Sequence, residues 1–462
     1  MNRPAMPIRG RFNNSARFAD YVRFFALSLL VLFSCEAIAV PSFARQTGMA
    51  CSSCHTTSFG PNLTPTGRYF KLNGYVAGGG QESKIPPVSA MIIGSFTHTD
   101  GKQNSDSETV DKLGFHSNNN AALDEVSLFY AGRVWKQLGA FVQLTYNGLA
   151  DSMELDNTDI RFADRIRFGK DENQEITYGI TLNNNPTVQD LWNTTPVWGF
   201  PYAASGLAPT PSATTLIEGG LGGQVGGATA YILWNNLLYA EAGAYSSFSN
   251  RLQTALGTNG AKTDGPAPYW RIALQHQLGG HYFQIGTFGL RAQIFPERID
   301  SEGSDLFSDL GLDANYQFLG NLEHIFEFKV SYIREDRTLA ASKSLGFSAN
   351  SHNTLDSLHT NLAYTYDQTY SLNFGYFKST GSRDAILYGS PAARPNSEGF
   401  IAELDYIPFG KTKSFLAPWL NLRFALQYTA YTQFDGSNKN YDNAGRNASD
   451  NNTLFLNGWL IF

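Results

Sequence analysis

Beyond Ile85-Pro86-Pro87, apolar and polar residues alternate with a period of two, in segments of about ten residues. Leu422, Phe424, Leu426 and Tyr428 alternate with Asn421, Arg423, Ala425 and Gln427. Leu358, Thr360, Leu362, Tyr364 and Tyr366 alternate with His359, Asn361, Ala363 and Thr365, and Ile160, Phe162, Ile166 and Phe168 with Arg161, Ala163, Arg165 and Arg167. This period sends the two sets to opposite faces of a strand. A soluble sandwich alternates in the same way, so the connections decide. Tight links at Lys136-Gln137, Asn235-Asn236, Leu278 to Gly280, Leu319 to Asn321 and Asp367 to Thr369 alternate with long polar stretches near 99–121, 184–224, 249–267, 296–308, 334–353, 379–398 and 435–452. Short turns at one end and long loops at the other predict an all-β fold over 85–462: a transmembrane antiparallel β-barrel of about 16 strands in a bacterial outer membrane, both termini periplasmic. The stretch 209–224 reads equally as strand or loop.

Composition agrees with a membrane barrel. Of 462 residues only 16% are charged and 14% are aromatic, against about 25% charged in ordinary soluble domains. A net charge of −6 gives nucleic acid no basic patch to bind. No run approaches the roughly 18 apolar residues of a spanning helix. At the N-terminus, Arg9, Arg11, Arg17 and Arg23 precede the apolar run from Phe24 to Phe33, with small residues at Ala37, Ala39, Ser42 and Ala44. This pattern predicts a signal peptide over 1–44, cut after Ala44 or alternatively after Ala39, with Cys35 leaving in the removed piece.

The remaining cysteines, Cys51 and Cys54, stand in Cys51-Ser52-Ser53-Cys54-His55, the attachment signature of one covalent haem c. Two thiols at this spacing reach the two vinyl groups, and His55 is the proximal ligand of the iron. A thioredoxin-like pair would need a βαβ setting, and a zinc site a second pair of ligands nearby; neither is in the sequence. Thr64 as cap, Pro65 in the first turn and Gly74 at the end predict one short helix, with Tyr69 and Leu72 on a common face. Arg68 and Lys71 either meet the haem propionates or stay solvated, and Arg68 is the propionate candidate. Residues 45–84 thus form a small α-helical cytochrome segment, near the size below which a chain seldom folds alone, and they are expected to plug the barrel. No methionine lies between Cys54 and Met91. Met91, early in the first strand, is the first candidate for distal iron ligand, ahead of His98, His116, Met153 and Met49.

Phe43-Ala44-Arg45-Gln46-Thr47-Gly48, Cys51 to His55, Leu63-Thr64-Pro65-Thr66-Gly67-Arg68 and Phe70-Lys71-Leu72-Asn73-Gly74-Tyr75, followed by a barrel, resemble the fused outer-membrane monohaem cytochrome-porins of iron-oxidising and other electron-exchanging bacteria. The last strand, Leu454 to Phe462, is similar to the terminal strand of outer-membrane proteins. The resemblance implies one haem in or beneath a porin. Electrons would pass between an extracellular partner, Fe(II) in the iron oxidisers, and a periplasmic c-type cytochrome or other carrier. Such a conduit uses no catalytic residue. The alternative is a diffusion porin with a haem-stabilised N-terminal plug.

Arg161, Arg165, Arg167, Arg271, Glu323, Glu327, Lys329 and Arg423 are expected on the lumen face. Asp100, Asp106, Glu108, Asp111, Asp300, Glu302, Asp305 and Asp309 read as loop carboxylates, hard donors suited to divalent iron. His276, His324 and His359 fall within strands without metal-ligand spacing.

Overall fold

The computed structural model describes residues 42–76, 86–103, 114–258 and 260–462. The expected signal peptide up to residue 41, with Cys35, lies outside them, as do 77–85, Asp106, Glu108 and Asp111.

The strands are β1 (Val88–Thr99), β2 (Asn120–Trp135), β3 (Leu138–Asn147), β4 (Ser152–Phe168), β5 (Gln174–Asn183), β6 (Val225–Trp234), β7 (Leu238–Ser247), β8 (Lys262–Thr263), β9 (Ala267–Leu278), β10 (His281–Phe295), β11 (Asp305–Phe318), β12 (His324–Thr338), β13 (His352–Tyr366), β14 (Tyr370–Gly381), β15 (Ser397–Tyr406), β16 (Asn421–Gln433) and β17 (Thr453–Ile461). The two-residue β8 sits beside the end of β10. The other sixteen form the wall, each antiparallel to its neighbours in the chain. β1 pairs with both β2 and β17, from Met91 opposite Ile461 to Thr99 opposite Thr453, and this closes the sheet. A closed ladder leaves no edge and no unpaired strand backbone to face lipid.

Burial is inverted relative to a soluble protein. On β16, Leu422, Phe424, Leu426 and Tyr428 face outward, while Asn421, Arg423, Ala425 and Gln427 are buried. β13 repeats this: Leu362 and Tyr366 are exposed, and Asn361, Ala363 and Thr365 buried. Outward leucines and phenylalanines form a continuous lipid-facing belt. It is edged at the short-turn end by aromatic pairs across neighbouring strands, Phe326 against Tyr364 at 4.9 Å and Tyr370 against Tyr406 at 5.2 Å. An apolar outside around a polar inside identifies a membrane-spanning barrel and excludes the soluble sandwich.

The hairpins sort by end as the sequence predicts, with two departures. Asn235 and Asn236 both have positive φ (48° and 52°), as do Asp367 and Gln368 (50° and 48°), the geometry that suits tight hairpins. Yet 148–151 is a tight link at the long-loop end, and 407–420 is a long connection at the short-turn end. The stretch 209–224 is no strand; it belongs to the 184–224 loop, which folds into the lumen with Val188, Leu191, Trp192 and Ile217 buried. Helix α1 (Ser42–Thr47) packs against the start of the barrel, Phe43 lying against the rings of Phe70 and Tyr75 at 4.9 and 5.4 Å. A cut after Ala39 keeps this contact, and a cut after Ala44 removes it.

Because Leu312 lies mid-strand on the lipid side and is 56% exposed, Leu312→Arg should cost about 2–4 kcal/mol of folding stability in bilayers. Denaturant titration of refolding into liposomes measures this; a cost near zero would contradict the outward assignment.

Candidate functional site

The segment that follows α1 forms two further helices, α2 (Cys51–Cys54) and α3 (Pro65–Leu72). One turn of helix separates the two cysteines, so their side chains leave the same face. His55 follows in extended backbone (φ −116°, ψ 146°) and bridges to Leu63. Thr64 caps α3 by accepting from the Gly67 amide at 3.3 Å, its hydroxyl donates to the Ser53 carbonyl at 2.7 Å, and Pro65 opens the first turn. Gly67 has no substitute here: a Cβ would overlap the Cys54 carbonyl oxygen. Gly74, at φ +68°, turns the chain out of the helix.

Both thiols are unbonded, Cys51 buried and Cys54 partly so. Burial pushes each up to about 11, so they remain protonated near neutral pH. Burial pulls His55 down to about 4, which keeps the imidazole neutral, and its Nδ1 is buried with no hydrogen-bond partner.

The barrel holds this segment at its short-turn end. Gln368, in the 367–369 turn, donates from Nε2 to the carbonyls of Ser52 and His55, both at 2.8 Å, and its own carbonyl accepts from the Ser58 amide. Asn421 donates to the Ser58 carbonyl at 2.7 Å. Phe59 packs on Trp459 at 5.8 Å. Met91, Ile93, Phe129, Ala131 and Trp459 form an apolar patch on the lumen wall, with Phe43 and Phe59 packed against it. Met91 therefore faces the segment that carries the cysteines. At the long-loop end His98 is half-buried and His116 and Met153 are exposed, and His98 bonds Asn119 at 2.7 Å. The barrel's length separates all three from Cys51–His55. Met49, exposed, adjoins α2.

Arg68 is buried under the Tyr282 ring, its guanidinium carbon 3.7 Å from the centroid. Nη1 donates to Leu63 and Gln317, and the buried Nη2 has no partner. Lys71 is neither solvated nor free: its ammonium donates to the carbonyls of Val188 (2.9 Å) and Asp190 (2.5 Å) and to Asn193 Oδ1 (3.2 Å). Tyr69 and Leu72, one turn apart on α3, meet different surroundings. Leu72 is buried beside Trp192, whereas Tyr69 is exposed and receives a bond from Arg165 at 2.6 Å. The lumen alternates apolar clusters with charged groups over the length of one helical turn, so helical spacing alone does not tell which setting a side chain meets.

Sequence reasoning missed the 184–224 loop as the segment's second partner. Asn193 donates to the Pro61 carbonyl, Tyr202 to Asn62 Oδ1, and Lys329 to both Asn62 and Asn193. Asp190 in this loop pairs with Arg271 at 3.3 Å, and Arg271 pairs with Asp313 at 2.7 Å, all three fully buried. The signal was available in the apolar Leu191-Trp192 inside an otherwise polar loop. Of the expected lumen charges, Arg161, Arg271, Glu327, Lys329 and Arg423 are buried inward, while Arg167 and Glu323 are exposed near the short turns.

Asp305 and Asp309 are not loop donors. They lie on β11, where Asp305 accepts from the Ala341 and Ser342 amides and Asp309 from the Ile217 amide. Asp300 pairs with Lys262 and Glu302 accepts from Ser344. Asp100 accepts from Asn452. His359 faces the lumen, 46% exposed and 3.1 Å from Glu218. His276 and His324 are exposed, and His324 bonds Tyr364. Among the described residues no three His, Cys, Asp or Glu side chains are grouped to hold a metal ion.

Lys71→Ala would strand the buried carbonyls of Val188 and Asp190, at about 1–3 kcal/mol each. Hydrogen exchange should therefore quicken at least about tenfold across 188–194 while the barrel strands stay protected. Unchanged exchange in that loop would show that the lysine does not hold it.

No family model and no curated protein matches the chain. Among solved structures, it is similar to OprB of Pseudomonas putida, with 12% identity over 81% of this chain and 94% of that one and a TM-score of 0.46. The outer-membrane channel DcaP of Acinetobacter baumannii shares 11% identity over 81% and 96%, with a TM-score of 0.44. An anion-selective porin from Comamonas acidovorans shares 10% over 81% and 98%, with a TM-score of 0.43.

Proposed function

We propose that the chain is an outer-membrane electron conduit. One covalent haem c held by residues 45–84 carries electrons between an extracellular partner, Fe(II) or another donor or acceptor, and a periplasmic c-type cytochrome or other carrier. The observation that carries this reading is the Cys51–His55 motif, held by Gln368 and Asn421 at the short-turn mouth of a lumen that the 184–224 loop crosses from within. The residues present fit the group. Two free thiols leave one helix face, the neutral imidazole of His55 has an unpartnered buried nitrogen, Arg68 has an unpartnered buried Nη2, and an apolar wall containing Met91 stands opposite.

Bound haem supplies a reversible one-electron carrier. Cys51 and Cys54 would hold it by two thioether bonds, each S–H adding across a vinyl group, and His55 would supply a neutral imidazole to the iron. Arg68 Nη2 would offer a charge-assisted hydrogen bond to a propionate, and Met91 would offer a thioether as a second ligand. Lys71, Asn193 and Lys329 bind the lumenal loop to the segment, which restricts free diffusion past the site.

A second reading, a diffusion porin with a haem-stabilised plug, draws support from the solvated, lumen-facing His359. Single-channel recordings of the holo-protein separate the two: a closed pore favours the conduit, and large steady currents favour the porin.

Cys51→Ala combined with Cys54→Ala should abolish haem staining on denaturing gels while the barrel still reaches the outer membrane. Full staining would exclude the covalent site. Met91→Leu should keep the haem attached, lose the far-red thioether-to-ferric absorption band and lower the midpoint potential. A parent-like spectrum and potential would remove Met91 as ligand.

A further inference from the structure

Connections at the short-turn end are tight, with the exception of 407–420 between β15 and β16. Its sequence, from Ile407 to Leu420, carries Lys411 and Lys413 and no acidic residue. The connection bends over the cysteine motif. The Gly410 carbonyl accepts from the Ser52 amide at 3.2 Å. Gly410 has φ +89°, and a Cβ there would overlap the Ser58 carbonyl oxygen. The Trp419 ring lies 5.5 Å from the Arg45 guanidinium. The connection therefore covers the short-turn mouth rather than splaying into the bilayer.

It also leaves apolar side chains uncovered by the rest of the protein. Phe415 is 67% exposed and Leu416 51%, with Phe415 against Phe409 at 6.0 Å. Lys411 bonds Asp367 at 2.6 Å, and the exposed Lys413 has no ion-pair partner among the described residues. A small apolar centre with a charged rim suits a brief, low-area encounter of the kind electron carriers make. Rim charge chiefly sets the rate of such an encounter.

We propose that the 407–420 connection is the docking surface for a soluble electron carrier whose exposed cofactor edge is ringed by carboxylates. This rests on the haem reading above. With haem held by Cys51, Cys54 and His55, the encounter would pass one electron, the haem being oxidised from ferrous to ferric as one cofactor of the carrier is reduced. The same apolar and lysine composition would suit a membrane-interface anchor, but the contacts with Ser52, Ser58 and Arg45 favour the soluble partner.

The test uses the full-length holo-protein in detergent micelles, reduced and then mixed with an acidic soluble c-type cytochrome, a basic one of matched potential, or a small neutral quinone. Lys413→Glu should slow oxidation by the acidic cytochrome by about tenfold at low salt, speed it with the basic one, and leave the quinone rate unchanged. Phe415→Ser with Leu416→Ser should slow both cytochromes and spare the quinone. Heat-modifiable mobility on gels confirms that each variant folds. Parent-like cytochrome rates in both variants overturn the docking surface alone. A parent protein without a haem spectrum overturns the haem reading, and the docking proposal with it. Quenching of Trp419 by brominated lipid in the parent, combined with unchanged cytochrome rates in the variants, would assign the connection to the membrane instead.

Discussion

Closure of the backbone hydrogen-bond ladder between β1 and β17 is the constraint on which everything else in the molecule depends. In hydrocarbon each unpaired amide or carbonyl costs several kcal/mol, so a strand sheet can span only as a closed ring. A ring closed by antiparallel pairs throughout has an even number of strands, with both ends of the barrel chain on one side, where Ala90 and Phe462 exchange backbone bonds. It also commits alternate side chains to lipid and the others to the lumen. Leu362 and Asn361, adjacent in sequence, thereby meet opposite solvents.

A sixteen-stranded ring encloses more space than its own inward side chains fill. Here the space is taken by residues 42–76 from one end and by the 184–224 loop from the other. Their contacts with the wall are both apolar and polar: Leu72, Leu191 and Trp192 pack with Tyr231, Leu233, Tyr239 and Tyr282, and Ile217 and Leu221 with Tyr245, Tyr269, Phe288 and Ile333. Buried charges are compensated in groups: Arg271 with Asp190 and Asp313, Arg161 with Asp159, and Arg423 with Glu403 and Asp405. Such groups contribute little net stability against well-packed apolar residues, but removing one member leaves an uncompensated charge. They therefore act to specify position. Asp190 joined to Arg271 fixes the loop, and Lys71 bonded to the loop fixes α3. A third apolar patch, around Met91 and Trp459, faces the segment that carries the cysteine motif.

What was legible in the sequence was what local pattern controls. Strand positions and faces follow from period two, the tight turns from Asn235-Asn236 and Asp367-Gln368, and α3 from Thr64, Pro65 and Gly74. The cysteine spacing is equally local. What escaped depends on where distant segments meet. Lys71 reads as a solvated helix charge until the 184–224 loop is folded against it. Asp305 and Asp309 read as loop carboxylates because strand β11 begins where the polar stretch still runs. Gln368, an ordinary turn residue in sequence, carries two bonds to the motif. The length of 407–420 also runs against the short-turn rule, and no periodic signal marks it. Arg68 reads in sequence as either a propionate contact or a solvated helix charge; its burial under Tyr282 joins residues far apart in the chain, which no local pattern marks.

The central claim is that electrons, rather than solutes, cross this barrel through residues 45–84. The direct measurement uses proteoliposomes containing the haem-loaded protein, with ferricyanide trapped inside and a membrane-impermeant Fe(II) chelate added outside. The account predicts loss of the internal ferricyanide colour with the holo-protein and none with the Cys51→Ala, Cys54→Ala protein inserted at equal density. Leakage of trapped ferricyanide from the holo-protein vesicles, or equal bleaching with both proteins, would contradict it.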